Sequence, residues 1–480
     1  MEKLFQSLEE GEKWYESTFQ VDQTFDAESK RIHLWNLPAL VLYINGLVDD
    51  QGLLTLLTRM QWNEVQPGMT ETEQFLSYFP FQSVTEVKDR NELLTTILTG
   101  QPAFITKSGY AFTIDMRAYP GRQPEEPDIE KVIRGSRDGF TESIIQNTAL
   151  VRRRLRTEKL RFDMHQTTVN GKTDVAIAYL EGAANEDHLR EIRNRLDDIK
   201  HDGLTMTDKS LEEFLFKQRF HPVPFVRFTE RPDICAAHLL EGHIAIIVDT
   251  SPSVILVPIT IFHHLQHAEE YRQAPLIGTF VRLTRIIGAF LSLVLLPFWY
   301  LLATEQQYLP TTLSYIGPQD IGEIPLLVQI LMADIGIEVL RMAAIHTPTP
   351  LSTAMGLVAA IVIGQVAIDV GLFTPEVVLY VSVSAIFTFA IPSYELSITT
   401  KIFRVFILLT TAIFGAAGFF GSIAVLFYYL CALKPLNVPY MWPLVPFFPK
   451  AMLRVLVRYP MTVDMPRPFI TKAPTRNRLE

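Results

Sequence analysis

The hydrophobic pattern changes character once along this chain. Before Glu270, apolar residues come in short runs broken by dense Lys, Arg, Asp and Glu; beyond it they come in long, nearly uncharged runs. A helix needs roughly 20 apolar residues to cross a hydrocarbon layer. Five runs approach that length: Ile286 to Ala303, Ile324 to Ile345, Leu351 to Val370, Val377 to Ile391, and Ile402 to Leu433, the last too long for one upright span. Trp299 and Tyr300 close the first run, where amphipathic rings suit an interface.

The earlier half repeats itself. PALVLYINGLVDDQGLLTLLTRM predicts a strand ending at Tyr43-Ile44-Asn45-Gly46 and then a helix; DVAIAYLEGAANEDHLREIRNRL predicts a strand ending at Tyr179-Leu180-Glu181-Gly182 and then a helix. Each copy continues to a glycine-closed turn, Gly100 or Gly242, followed by apolar strands. Asn170-Gly171 predicts a hairpin, because both residues tolerate positive φ. The expected architecture is an α+β cytoplasmic head of two related α/β lobes on an all-α polytopic transmembrane bundle. The expected divisions are lobe 1 at residues 1–128, lobe 2 at 129–270, the membrane domain at 271–459 and a basic, disordered cytoplasmic tail at 460–480, with Pro120 to Pro127 linking the lobes.

Two membrane segments carry candidate chemistry. In the second, Asp334, Glu338 and Arg341 share one helix face at i,i+4 and i,i+3 spacing. Ionisable groups there cost about 2.5–3.5 kcal/mol each on insertion scales unless partnered. They form either a polar lining for an ion path or an intramolecular charge cluster that docks the helix. In the third, Leu351, Met355, Val358, Val362, Gln365 and Asp369 fall on one stripe, flanked by Gly356, Ala359, Ala360, Gly364 and Ala367, small residues that allow close helix approach. Copies arranged about an axis would give an apolar constriction at Val358 and Val362 and cation-favouring rings at Gln365 and Asp369. Ordinary bundle packing is the alternative.

Charge sets limits. The 480 residues hold 43 Lys and Arg against 52 Asp and Glu, a net charge of -9, which argues against a nucleic-acid partner. The N-terminus lacks the basic and apolar regions of a signal peptide, so the head is expected in the cytoplasm. Arg272, Arg282 and Arg285 before the first run, Lys401 and Arg404 before the fifth, and Lys450, Arg454, Arg458 and Arg467 near the end place both ends on the cytoplasmic side. Five crossings cannot satisfy that, so one segment fails to cross or the run Pro435 to Pro449 re-enters. Cys235 and Cys431 give no disulfide framework. Arg152, Arg153, Arg154 and Arg156 read as a solvated helix face or a docking patch. His263, His264 and His267 read as a helix before the first span or as metal ligands. No catalytic, nucleotide-binding or metal-binding motif is present, so neither an enzyme nor a cofactor is expected.

Several motifs together resemble the A-subunits of the GerA-type spore germinant receptor family, over Asn36 to about Tyr459. They are Gly135-Ser136-Arg137-Asp138-Gly139-Phe140, Asn147, Leu150 to Arg154, and Tyr179 to Gly182. Val248-Asp249-Thr250-Ser251-Pro252 follows, where the family more often has Asp-Gly-Thr-Pro, then Glu269-Glu270-Tyr271, Ile324-Pro325, Glu338, Ile363-Gly364 and Ala390-Ile391-Pro392. Ala333 to Leu357 is more similar to a sporulation branch than to the nutrient receptors, which carry Glu-rich forms where Asp334 and Arg341 stand. The resemblance implies a cyclic oligomer, pentameric in kind, in the spore inner membrane, releasing monovalent cations beside other germination proteins. It implies that the third segment, with Met355, Val358, Val362, Gln365 and Asp369, lines the pore. Two alternatives stay open: a non-conducting scaffold or signal relay, and a dipicolinate-release component with Arg341 as its anion-binding residue.

Overall fold

A computed structural model describes the chain apart from residues 1–2, 62–72, 74, 76–83, 119–129, 131, 133, 169–170, 217–219, 306–316, 319–322, 347–355, 357, 359–360, 461, 464–465 and 476–480. Leu351, Met355, Ala359, Ala360, Asn170 and the linker Pro120 to Pro127 therefore lie outside the described residues. The chain forms two units: Met1–Arg219 with Val226–Ile259 and Met461–Glu480, and Phe220–Phe225 with Thr260–Pro460.

The first unit contains two five-stranded sheets of identical topology. The strands are β1 (Ala27–Leu34), β2 (Leu37–Ile44), β3 (Val84–Val87), β4 (Ala103–Thr106) and β5 (Ala111–Ile114) in the first and β6 (Leu160–Thr167), β7 (Thr173–Leu180), β8 (Arg227–Thr229), β9 (Ile244–Val248) and β10 (Val254–Val257) in the second. Their orders are β1-β2-β4-β5-β3 and β6-β7-β9-β10-β8, and among the described residues every strand pairing is antiparallel. The repeat legible in the sequence is thus a repeat of topology. In lobe 1, β1 (Ala27–Leu34) and β2 (Leu37–Ile44) turn through Trp35 and Asn36, both at positive φ (49° and 60°), which is the pair of left-handed residues that a two-residue hairpin takes. Strand β2 buries both faces: Leu40, Leu42 and Ile44 enter one core cluster and Ala39 and Val41 the other, as alternation along a strand dictates. In lobe 2 the corresponding strands are β6 (Leu160–Thr167) and β7 (Thr173–Leu180).

The glycine stops also repeat. Helices Arg90–Leu98 and Pro232–Leu240 end at Gly100 and Gly242, each at φ 91°. A Cβ there would lie 2.9 Å from Leu47 O or 2.6 Å from Ala183 O, so only glycine fits.

The last segment departs from expectation. Residues 466–475, within the stretch read as a disordered tail, fold onto lobe 2, burying Ile470 and Thr471. Arg467 donates to Leu240 O (3.1 Å), Thr471 Oγ1 to Glu241 O (3.1 Å), and Asn185 Nδ2 to Lys472 O (3.0 Å). Basic composition suggested solvation, but Arg467 is spent on carbonyls that end a helix and a turn.

The second unit is helical and comprises Phe220–Phe225 and Thr260–Pro460, so its main stretch starts ahead of the expected 271. Two of its helices are long and apolar enough to cross a membrane: Pro275–Thr304 and Tyr394–Ala432. Between them lie Leu326–His346 and Pro375–Phe389. Trp299 is buried within the protein, 1% exposed, and stacks on Tyr380 with ring centroids 4.6 Å apart.

The 39-residue run Tyr394–Ala432 is two helices. Gly415 has φ 58° and ψ −137°. A Cβ on Gly418 would lie 2.0 Å from Thr410 O, although eight residues of straight helix span roughly 12 Å. The rings of Phe403 and Tyr429 are 6.3 Å apart, where a straight helix would separate them by roughly 39 Å. The run therefore reverses at Gly415 into an antiparallel hairpin. Glu305 holds the reversal, its Oε1 accepting the Ala416 N–H at 3.2 Å while occupying the space that a Gly415 side chain would need.

Candidate functional site

The charges of the second apolar segment converge with two that the sequence placed elsewhere. Arg404 is buried, and its Nη2 donates to Asp334 Oδ1 at 2.6 Å. Its Nη1 donates to Ser384 Oγ (2.7 Å), Thr388 Oγ1 (3.1 Å) and Ser292 O (3.0 Å). Lys401 donates to Glu338 Oε2 (2.9 Å) and to Asp334 O (2.9 Å), with Asp334 Oδ1 at 3.5 Å. Arg341 completes the row, donating to Glu338 Oε1 (3.0 Å) and Ser397 Oγ (3.1 Å) and lying over the rings of Phe389 and Tyr394.

Two acids and three bases thus bracket Leu326–His346 to the first half of the hairpin. Asp334 and Glu338 lie one turn apart on one helix and Lys401 and Arg404 one turn apart on the other, so the two rows zip together, with Arg341 closing the end from the acids' own helix. In an apolar unit the geometry is stabilising only because every charge has partners. Reading Lys401 and Arg404 as marks of membrane orientation missed this. The usable signal was their i,i+3 spacing, which complements Asp334 and Glu338.

A second buried set has the same character. Glu270 accepts from Arg282 Nε at 2.7 Å and also from Arg285, so these two arginines are likewise consumed internally.

The third apolar segment is described at Gly356, Val358 and from Ile361 onward, with a π turn at Val362–Val366 running into the helical turn Ala367–Asp369. Gly371 ends it at φ 75°. Val358 (59%) and Val362 (50%) are exposed, with Ile361, Gln365, Val366, Asp369 and Val370, while Ala367 is buried. A π turn spends an extra residue, so side chains beyond it are set back from the stripe that a regular helix would give. Val366 and Val370 consequently join Gln365 and Asp369 on the uncovered side.

In the head the basic run divides. Arg152 is 0% exposed and pairs with Asp26 through Nε (2.9 Å) and Nη2 (3.0 Å), so it is not a solvated face. Arg154 donates to Asp138 Oδ1 at 2.6 Å. Burial raises the Asp138 pKa, but hydrogen bonds from Arg154 and Ser136 outweigh it and hold the carboxyl below its ordinary range. Arg153 and Arg156 are exposed. Asn147, also buried, brackets Thr141, accepting its N–H (2.7 Å) and donating to its carbonyl (2.6 Å). Burial pushes the Cys235 thiol up to about 12, leaving it protonated and unreactive at neutral pH. His263 Nδ1 lies 2.9 Å from Thr260 Oγ1, and His267 Nδ1 accepts from Glu269 N at 3.3 Å; both serve as helix caps.

Thr250 has a φ of 66°, a left-handed conformation that glycine adopts without strain. A β-branched residue is strained there by about 1–2 kcal/mol. Thr250→Gly is expected to stabilise the head by about 1 kcal/mol after glycine's entropic penalty, read as a higher melting temperature of the full chain in detergent. An unchanged or lower melting temperature would show that the strain is relieved locally.

The model of the Bacillus/Clostridium GerA spore germination protein family matches residues 16–470. Stage V sporulation protein AF of Bacillus subtilis (strain 168) is 44% identical over 479 residues, spanning 99% of this chain and 97% of that protein. Spore germination protein KA of the same organism is 31% identical, over 92% of this chain and 81% of that one. Spore germination protein GerLA of Bacillus cereus is 31% identical, over 89% and 88%. The crystal structure of the N-terminal domain of the A subunit of the Bacillus megaterium spore germinant receptor GerK3 is 26% identical, covers 53% of this chain and 96% of that one, and superposes with a TM-score of 0.41.

Proposed function

This chain belongs to the GerA spore germination protein family, and from that premise we propose that it is a multi-pass subunit of a cyclic, five-fold channel in the spore inner membrane that releases monovalent cations during germination. It makes and breaks no covalent bond, and its head lies on the cytoplasmic (spore core) side, acting with other germination proteins.

The observation that carries the channel reading is the uncovered face of the third apolar segment. Val358 and Val362 are exposed there together with Gln365 and Asp369. Lipid would cover valines but not an amide and a carboxylate one turn apart. Water at the centre of a ring of copies would suit all four. The bracketed charges then serve as the rigid frame behind that face rather than as the ion path.

The hairpin at Gly415 supports an even number of crossings. Its two halves, together with Pro275–Thr304, Leu326–His346, the third segment and Pro375–Phe389, make six, and re-entry of the proline-rich run is not required. Residues 466–475 fold with lobe 2, which agrees with both ends lying on one side.

In liposomes holding the full chain, Val362→Ala is expected to raise basal potassium leak several-fold, and Asp369→Asn to lower the preference for cations over anions. Leak unchanged by the first and a reversal potential unchanged by the second would remove this face from the pore. Wild-type protein that conducts nothing while still binding other germination proteins would favour the scaffold reading. The dipicolinate alternative draws less support, because Arg341 is already engaged by Glu338, Ser397 and two rings.

A further inference from the structure

Helix Pro449–Leu456 is attached to the second unit without being buried by it; none of its residues is buried. Its C-terminal end is held by polar ties to the start of Pro275–Thr304. Arg282 Nη1 donates to Arg454 O (3.1 Å) and Val455 O (3.3 Å), and the N–H of Arg458 donates to Thr279 Oγ1 (3.0 Å). Those ties fix position and satisfy carbonyls at a helix end, but they cover no apolar area.

The helix is sharply two-sided. At about 100° per residue, Lys450 and Arg454 fall within about 40° of each other, and Phe448, Met452, Val455 and Leu456 centre on the opposite side. On that apolar side Phe448 is 40% exposed and Met452, Val455 and Leu456 are half-buried, while Phe447 (62%) and Leu453 (49%) are exposed to either side of the basic pair. Leu276, Ile277 and Phe280, in the first turns of the helix to which it is tied, are uncovered as well. Exposed apolar side chains thus lie both on the start of the spanning helix and on this short one, which also carries its two bases on one side.

We propose that Pro449–Leu456, with Phe447 and Phe448, lies in the plane of one leaflet and that Lys450 and Arg454 bind the phosphate of an anionic phospholipid. The inference rests on the membrane reading and not on conduction. Apolar side chains left bare by the protein are then covered by acyl chains, and the two bases sit at headgroup depth. Two bases four residues apart can share one phosphate or engage neighbouring ones.

The test uses the full chain in nanodiscs of phosphatidylcholine alone and of phosphatidylcholine mixed with phosphatidylglycerol. Native mass spectrometry after disc release is expected to show phosphatidylglycerol retained on the wild type. Retention should fall about tenfold in Lys450→Gln/Arg454→Gln and recover in Lys450→Arg/Arg454→Lys. Equal retention by the glutamine variant overturns the site. So does displacement of the lipid by millimolar inorganic phosphate, which would make it a free-anion site. Incorporation into the pure phosphatidylcholine disc tests the membrane premise separately; a chain that stays in water without disc or detergent overturns that premise instead.

Discussion

Replacing Asp334 with Leu is expected to damage the helical unit more than replacing Arg404 with Leu, although the two form one pair. With Asp334 gone, the buried Arg404 guanidinium keeps only neutral acceptors: Ser384, Thr388 and the carbonyl of Ser292. With Arg404 gone, Asp334 still has Lys401, whose Nζ is 3.5 Å from its carboxylate. Stranding one member of a buried pair costs about 3–5 kcal/mol, and Asp334→Leu should reach that range while Arg404→Leu falls short of it. The double replacement should recover part of the loss, since it leaves no unpaired charge at that rung. Thermal unfolding of the full chain in detergent reads all three. Equal losses for the two single variants would mean that Lys401 does not back up Asp334. Additive losses in the double variant would mean that the pair is not coupled.

The second large effect belongs to the head. Arg152→Leu is expected to cost about 3–5 kcal/mol, because Asp26 would remain buried without its cation. Arg152 also donates to Thr157 O (3.0 Å) and Leu160 O (3.1 Å), and it lies over the Phe162 ring at 5.1 Å. These contacts join the strand that begins lobe 1 to the first strand of lobe 2, where Phe25 N also donates to Phe162 O at 3.2 Å. Arg152→Lys should rescue little, since a point charge cannot replace a two-pronged fork. Hydrogen exchange of the full chain is expected to quicken together in β1 and β6 and to stay unchanged in the hairpin around Gly415. Exchange quickening in only one lobe would show that Arg152 serves that lobe alone.

The parts of the molecule that follow from local pattern were legible in the sequence. The two lobes could be read because the strand, the glycine turn and the closing glycine repeat, each enforced by alternation or by positive φ. The bracket was half legible. Asp334, Glu338 and Arg341 stood out because charge is expensive in an apolar run, but Lys401 and Arg404 sat near a run's edge, where basic residues ordinarily mean orientation. Only three-dimensional pairing distinguishes a flanking arginine from one that is 1% exposed. The hairpin was missed because the run through Gly415 is apolar on both sides, and hydropathy does not register a reversal. Gly415, Gly418 and Gly421 in quick succession were the available signal. Of the stripe read in the third segment, Val358, Val362, Gln365 and Asp369 lie exposed, but so do Ile361, Val366 and Val370, and the π turn at Val362–Val366 is a local change of winding that no periodicity anticipates.

The bracket also has a history within each new chain. Asp334 and Arg404 are 70 residues apart, so at roughly 5–20 residues per second the acid leaves the ribosome about 4–14 s before its base. During that interval Glu338 can turn to Arg341, three residues on, but Asp334 has no comparable neighbour in its own helix. Leu326–His346 therefore cannot settle in its final place when it is made. On the membrane reading proposed above it waits beside water or the insertion machinery until the first half of the hairpin arrives, and a chain truncated before Lys401 is expected to be degraded rather than accumulate as a stable fragment.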